Sequence, residues 1–266
     1  VRKGVFFCYR CGARGDISKL IDDDELVALS KDWYKEVVSA LSNDARQPSL
    51  ELKQEVSLPD DVVKIAPGSP GARYLKKRGY GPSEIREYRL VEQPDRYRLV
   101  IPSYRDELID FWVSRTYINE EPKYLNPKGV SRRFALFGYD QAKGASCVVI
   151  CEGVFSAMAA RQATGTPAVA TYGKLVAAEQ VKLLRSLRPK EFVIAFDSNA
   201  SSEAMMLAGL LGGDSDVRVV DWSPVSVDTG EAEEADPDSV PRDLFRGLVR
   251  HAPEFNWHQR VIRMLV

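Results

Sequence analysis

From Ser146 onward the chain alternates short apolar runs with helix-length stretches, and this alternation restricts the fold more than any other feature. Cys147–Cys151 reads as a buried strand and Gly153–Gln162 as a helix of small residues. Ala168–Thr171 is a second strand, followed by a helix over Ala177–Leu187 with Val181 and Leu184 on one face. Phe192–Phe196, Ser202–Leu211 and Val217–Val220 continue the series as strand, helix and strand. Strands separated by helices of this length form βαβ units and imply a mainly parallel sheet, hence an α/β fold.

Upstream the pattern differs and predicts an α+β arrangement. Tyr97–Ser103 and Leu108–Tyr117 read as a strand pair, the second with partial alternation. Ser69-Pro70 places a capping residue and an N1 proline ahead of a helix carrying Tyr74 and Leu75, ended by Gly79. Residues 45–70 are rich in Pro, Ser and acids and read as a linker. Residues 30–42 have helical spacing, with Trp33, Val37, Val38 and Leu41, and residues 1–21 read as a short hairpin and turn. The last 25 or so residues read as helical, with Leu244, Leu248, Phe255, Val261 and Leu265 as packing candidates.

The 266 residues suit two compact domains, or one with appendages, and 44% hydrophobic with 28% charged residues is an ordinary globular balance. No apolar run approaches the roughly 20 residues that span a bilayer, so no membrane association is expected. With two histidines, His251 and His258, a His-based triad or a multi-His metal site has too few members. The net charge of −1 conceals a strong asymmetry. Arg73 to Arg133 contains 14 Lys/Arg against nine acids, whereas Asp214 to Asp238 contains nine acids against Arg218 alone. That distribution is compatible with ordinary solvated faces or with a cleft of two opposed charges.

In open α/β sheets ligands bind beyond the carboxyl ends of the strands. Glu152 directly follows the first predicted strand, Asp197 follows the third, and Ala235-Asp236-Pro237-Asp238 supplies two more carboxylates downstream. Mg²⁺ takes oxygen ligands, usually one or two carboxylates with substrate phosphates and water. Taken singly, an acid in such a place is more often a helix cap; gathered, they suit a cation. Cys147 and Cys151, at the two ends of an apolar run, read as strand packing, since a free Cys behaves as a small hydrophobe.

These residues carry a family resemblance. Val148-Val149-Ile150-Cys151-Glu152-Gly153 resembles the first motif of the TOPRIM domain, Ala170-Thr171-Tyr172-Gly173 its second strand and glycine turn, and Phe196-Asp197-Ser198-Asn199 its Asp-x-Asp segment. The flanks resemble bacterial and phage-type, DnaG-like primases. Tyr74-Leu75-Lys76-Lys77-Arg78-Gly79 is similar to the start of their polymerase domain, and Arg98–Pro102 with Asp110–Arg115 to its paired strands ending in arginine. Pro122-Lys123-Tyr124-Leu125-Asn126 is similar to a highly specific motif of that family, followed by Leu136-Phe137-Gly138. Val5–Asp16, with Cys8 and Cys11, is similar to the second half of the family's zinc ribbon.

The resemblance implies a partial zinc-ribbon remnant over 1–30, a helix and linker over 31–66, and a basic N-terminal subdomain over 67–145. A TOPRIM domain over 146–240 and a helical tail over 241–266 complete the division. It implies a DNA-directed RNA polymerase that makes short RNA primers on single-stranded DNA by phosphoryl transfer, with nucleoside triphosphates as substrates. The metal would be Mg²⁺ or Mn²⁺, held by Glu152, Asp197, Asn199, Asp236 and Asp238, with Glu152 and Asp197 catalytic. Template and nucleotide contacts would come from Arg115, Lys123, Tyr124, Asn126, Arg132, Arg133 and Lys174. The expected setting is the cytoplasm of a bacterial or phage-infected cell, with a replicative helicase as partner. Two departures stand out. A zinc site needs four ligands, and Cys8 and Cys11 are half a set; Zn²⁺ is therefore expected with further ligands upstream, consistent with a chain that opens in mid-pattern at Val1. Asn199 stands where the second acid of Asp-x-Asp is expected, removing one negative charge from the site. The alternatives are a non-catalytic TOPRIM protein that binds DNA in a replication or recombination complex, and a TOPRIM nuclease. A topoisomerase would need a tyrosine-bearing domain that nothing here resembles.

Overall fold

The computed structural model describes residues 35–41, 56–212, 215–225 and 235–255, together with the backbone course of 5–7 and 14–16. Strands β1 (Val5–Phe7) and β2 (Arg14–Asp16) pair antiparallel, the hairpin expected at the N-terminus. The residues joining them, Cys8 and Cys11 included, lie outside the described residues, as do Val261, Leu265 and His258. Residues 35–41 form helix α1, inside the stretch read as helical.

Five strands make an antiparallel sheet in the order β3-β4-β5-β6-β7. These are Val63–Lys64, Val91–Gln93, Arg98–Arg105, Leu108–Thr116 and Tyr124–Leu125. The long β5–β6 hairpin is the predicted strand pair, with a register shift between Ser103 and Tyr104. β3 is a correction: it lies in the stretch read as linker and pairs with Val91 and Glu92 at the sheet edge. Its two side chains are both exposed, so no apolar alternation announces it. Helix α2 (Pro70–Lys77) begins as expected, the Ser69 hydroxyl accepting from the Ala72 N–H at 3.2 Å with Pro70 in the first turn. Helix α3 (Pro82–Glu87) follows it.

The short helix α4 (Tyr139–Ala142) leads into the second sheet, which is parallel throughout, in the order β11-β10-β8-β9. Its strands are β8 (Cys147–Cys151), β9 (Ala168–Ala170), β10 (Glu191–Ile194) and β11 (Asp216–Val219). Helices α5 (Val154–Thr164), α6 (Ala178–Leu187) and α7 (Ser201–Leu211) connect them. β8 is apolar without alternation because both faces are covered. Val148 and Ile150 face a core shared with Leu184, Phe192 and Leu207, while Val149 and Cys151 face one shared with Phe155 and Met158.

That second core also contains Leu75, Leu99, Ile101 and Phe111, so the antiparallel sheet and the parallel sheet are joined through one apolar interior. Small residues on α5, such as Ala157 and Ala160, permit the close approach. Both outer edges of the parallel sheet are paired by the chain itself. Phe137 and Ala170 exchange backbone hydrogen bonds of 3.1 and 3.0 Å on one side. On the other, the Phe255 N–H donates to Val217 and the Val219 N–H to Pro253. Closed edges leave no template for a further strand.

Helix α8 (Arg242–Arg250) packs on α5 and corrects one expectation. Its buried residues are Phe245 and Val249, with Leu248 partly buried, whereas Leu244 is exposed. Phe255 is partly buried against the core, as expected. No described helix is long and apolar enough to cross a membrane.

Candidate active site

The parallel sheet has its topological switch at β8, because β9 lies on one side of it and β10 on the other. Connections leaving β8 and β10 therefore diverge, and a crevice opens between their carboxyl ends. Glu152 stands at the end of β8, and Asp197 two residues beyond Ala195, whose N–H extends the ladder to Ile150 at 2.8 Å. The Asp197 N–H donates to the Glu152 carboxylate at 3.1 Å. Burial and the neighbouring Asp197 charge push the Glu152 carboxyl up to about 7, against the opposing pull of that N–H and of the Lys174 ammonium.

The Asp-Pro-Asp segment reaches the same crevice. The Ser198 N–H donates to the Ala235 carbonyl at 2.8 Å and the Ala235 N–H to the Ser198 hydroxyl at 3.0 Å, tying the segment to the loop that carries Asp197. Cys151, fully buried at the end of β8, has its thiol pushed well up by burial and then by the charges of Asp197, Asp236 and Glu152. Glu152 and Asp197 meet at that strand end, and the Ser198–Ala235 bonds tie the segment carrying Asp236 to their loop. Asp236 accepts from the N–H groups of Asp238 and Ser239 at 2.6 and 3.1 Å, which folds the segment into a tight turn.

Asp238 points differently. Its carboxylate accepts from the Tyr80 hydroxyl at 2.6 Å, pairs with Arg78, and has Arg242 at 3.4 Å. The two hydrogen bonds from Tyr80 and Arg78 hold it below the usual carboxylate range despite its burial. Asn199 is exposed within the turn Ser198–Ala200. Among the described residues no three Asp, Glu, His or Cys side chains stand close enough together to enclose a metal ion. The donor set still suits Mg²⁺ or Mn²⁺: Glu152 and the neighbouring Asp197 offer hard carboxylate oxygens to a cation that takes the rest of its shell from phosphate and water.

The predicted cationic residues fall into separate groups. Arg78 donates to the Tyr74 hydroxyl at 2.7 Å, lies over the Phe155 ring at 4.0 Å, and acts electrostatically on both Asp236 and Tyr124. β7 lies beside β6 so that Tyr124 is paired with Arg115, and the guanidinium sits 4.8 Å from the ring centroid. Tyr124 is 42% exposed. Lys123 and Asn126 are exposed on the same edge. Arg132 donates to the Tyr172 carbonyl, and Arg133 makes two 3.0 Å hydrogen bonds to Glu179. Lys174 is 3.0 Å from the Glu203 carboxylate.

Sequence reasoning singled out neither Tyr80, Arg242 nor Glu203, and it used Arg78 as a motif residue alone. Arg78 lay in plain view within Tyr74–Gly79. Tyr80 and Asp238 are 158 positions apart, and no local pattern links them.

Comparisons with known proteins agree with this arrangement. No family model matches the chain. It is 24% identical over 259 residues to the DNA primase of Thermotoga maritima, covering 77% of this chain and 46% of that protein. The DNA primase of Synechococcus elongatus is 27% identical over 269 residues, covering 74% and 38%. That of Synechocystis is 30% identical over 175 residues, covering 59% and 27%. The chain thus spans less than half the length of these curated relatives. Among solved structures it resembles a DnaG primase catalytic domain bound to ssDNA, with a TM-score of 0.59 at 17% identity, covering 88% of this chain and 82% of that one. The Escherichia coli primase catalytic core gives 0.57 at 17% identity, covering 74% and 77%. The Aquifex aeolicus primase, comprising zinc-binding and RNA polymerase domains, gives 0.55 at 18% identity, covering 94% and 73%. The mixed α/β fold of the DnaG catalytic core is the fold of this chain, and the likeness to bacterial primases read from its motifs holds.

Proposed function

Since the chain has the DnaG catalytic-core fold and is similar in sequence to bacterial DNA primases, we propose that it is the polymerase portion of a DnaG-like primase, making short RNA primers on single-stranded DNA. The observation that carries this reading is the Glu152–Asp197 pair at the sheet's switch point, with Arg78 paired to Asp238 of the adjoining acidic turn. Phosphoryl transfer demands that arrangement: an anionic pocket for cations, and cations for a polyanion, side by side.

In this reading Glu152 and Asp197 hold a divalent ion, with Asp236 supporting them from the adjoining turn. The ion, when bound, lowers the pKa of the attacking 3′-hydroxyl and neutralises the triphosphate. Asp238 acts through Arg78 and Tyr80, fixing them relative to the acidic turn. Lys123, Asn126 and Arg115 contact template phosphates or nucleotide, and the exposed face of Tyr124 stacks on a base. Arg132 and Arg133 lie at the pocket's other margin, where Arg132 braces the Tyr172–Gly173 turn. The exposed Asn199 contributes at most a neutral oxygen. Division of the chain into a basic subdomain and a TOPRIM domain, a zinc ribbon completed by upstream ligands, nucleoside triphosphate substrates and a helicase partner belong to the same proposal.

The test is incorporation of labelled ribonucleotides on a single-stranded template with Mg²⁺ or Mn²⁺. Oligoribonucleotides from the wild-type chain, joined to its zinc-ribbon half, and none from Glu152→Gln are expected. Template binding without synthesis would favour the non-catalytic reading. Template cleavage would favour a nuclease.

A further inference from the structure

Resting on the metal-dependent reading of the pocket, we propose that the Lys174 ammonium is a tethered cation: it neutralises Glu203 and competes with a divalent ion for the Glu152 side of the site. Three observations support this. First, Lys174 is held at the pocket. It follows Gly173, whose N–H donates to the Glu152 carbonyl at 3.1 Å, so the loop is fastened to the strand end that carries the acid. Gly173 has φ of +128°, and Arg132 packs where its side chain would be, so the turn preceding the lysine has little room to drift.

Second, the partner is unusual. Glu203 sits in the first turn of α7 and is 7% exposed, yet it is a carboxylate. A buried carboxylate is costly unless a counter-charge compensates it, and the Lys174 ammonium at 3.0 Å provides one. Third, both members of this pair act electrostatically on Glu152, in opposite senses. The Lys174–Glu203 pair thus flanks the Glu152–Asp197 pair and sets a cation of the chain itself beside it. A divalent ion approaching Glu152 meets the ammonium.

A lysine that serves instead as a phosphate ligand makes the opposite prediction for metal binding. Titration of the chain with Mn²⁺ alone, following free Mn²⁺ by electron paramagnetic resonance, separates them. Lys174→Met is expected to bind Mn²⁺ about tenfold more tightly than wild type, the order expected for removing one unit charge near a half-buried site. Lys174→Arg is expected to match wild type. Glu203→Gln, which frees the ammonium to turn toward Glu152, is expected to weaken binding and tests the idea independently should Lys174→Met fail to fold. Unchanged or weaker Mn²⁺ binding by Lys174→Met, with loss of triphosphate affinity, would overturn the proposal in favour of a phosphate ligand. Glu152→Gln reports on the underlying reading: if it leaves Mn²⁺ affinity intact, or if neither wild type nor Lys174→Met binds the ion, the pocket is no metal site and both readings fall.

Discussion

The Tyr80 hydroxyl donates to the Asp238 carboxylate at 2.6 Å across 158 residues of chain, and this bond joins the start of the basic region to the end of the acidic one. Asp238 also pairs with Arg78, whose guanidinium lies over Phe155. Removing the acid leaves the Arg78 guanidinium without its counter-charge, while the Tyr80 hydroxyl keeps the Phe155 carbonyl at 3.0 Å. Asp238→Ala is expected to cost about 2–3 kcal/mol and Tyr80→Phe about 1 kcal/mol, read from urea midpoints. Because the Asp238 pKa is depressed, its contribution is present above the ordinary carboxylate range and is lost as pH falls through the depressed value. The deficit of Asp238→Asn should therefore be constant from pH 5 to 8 and shrink below about pH 4. A deficit that persists undiminished into acid would show that the charge is not what stabilises the junction.

Glu152 has the opposite sign. Its folded-state value of about 7 lies above the ordinary 4.5, so between these values the native state holds a proton that the unfolded chain has lost. Stability from this group accordingly declines as pH rises through that window and stays low above it. In EDTA, Glu152→Gln should exceed wild type by about 1–2 kcal/mol at pH 8, after allowance for solvent screening, and the gap should close near pH 5. Added Mn²⁺ should raise the melting temperature of wild type and leave the variant unmoved. Parallel pH curves for the two proteins would remove the charge argument.

What could be read from the amino-acid order divides along a physical line. The parallel sheet was legible because β8 and β10 are apolar on both faces and are followed at once by Glu152 and, after two more apolar residues, by Asp197. β3 and β7 were not read as strands, since each has two exposed residues and is held by a neighbour rather than by its own pattern. On α8, Leu244 and Phe245 compete for the inward position, and packing against Trp222 decided for the aromatic ring. At the site, acids at strand ends could be anticipated, but their partners could not. Asp238 with Tyr80 and Arg78 is a pairing of distant residues that exists once the two sheets share a core, and Lys174 with Glu203 one that exists once the parallel sheet has brought its own loops together.

Lys123 and Arg133 differ in what already occupies them. Lys123 projects exposed from the rim beside β7, whereas Arg133 is committed to Glu179 through two hydrogen bonds. A phosphate contact made by Lys123 releases one counterion, so Lys123→Ala should flatten the plot of log affinity for single-stranded DNA against log salt by about 0.7–1. Arg133→Ala should change that slope less, and Glu179→Gln, by releasing the guanidinium, should steepen it. Equal effects from the two alanine variants would mean that the Glu179 pair opens on DNA.

Two glycines should differ sharply in what they tolerate. Gly138 has φ of +76° and a side chain there would place its Cβ 2.3 Å from the Ala168 carbonyl oxygen. That oxygen belongs to β9, which is fixed between β8 and the Phe137 bridge and has no room to retreat. Gly138→Ala should therefore cost about 3 kcal/mol or more, combining overlap in a packed core with left-handed strain. At Gly173 the nearest atom is the Arg132 guanidinium, at 2.6 Å, the mobile end of a long side chain. The clash can be relieved by swinging Arg132 off the Tyr172 carbonyl, so Gly173→Ala should cost about 1–2 kcal/mol, chiefly for its φ of +128°. Urea midpoints of the two variants compare them directly, and Gly173→Ala alone should also alter Mn²⁺ affinity, because its turn carries Lys174. If Gly138→Ala proves the milder change, the loop that joins the two sheets is not held against β9 as closely as the Phe137–Ala170 bonds require.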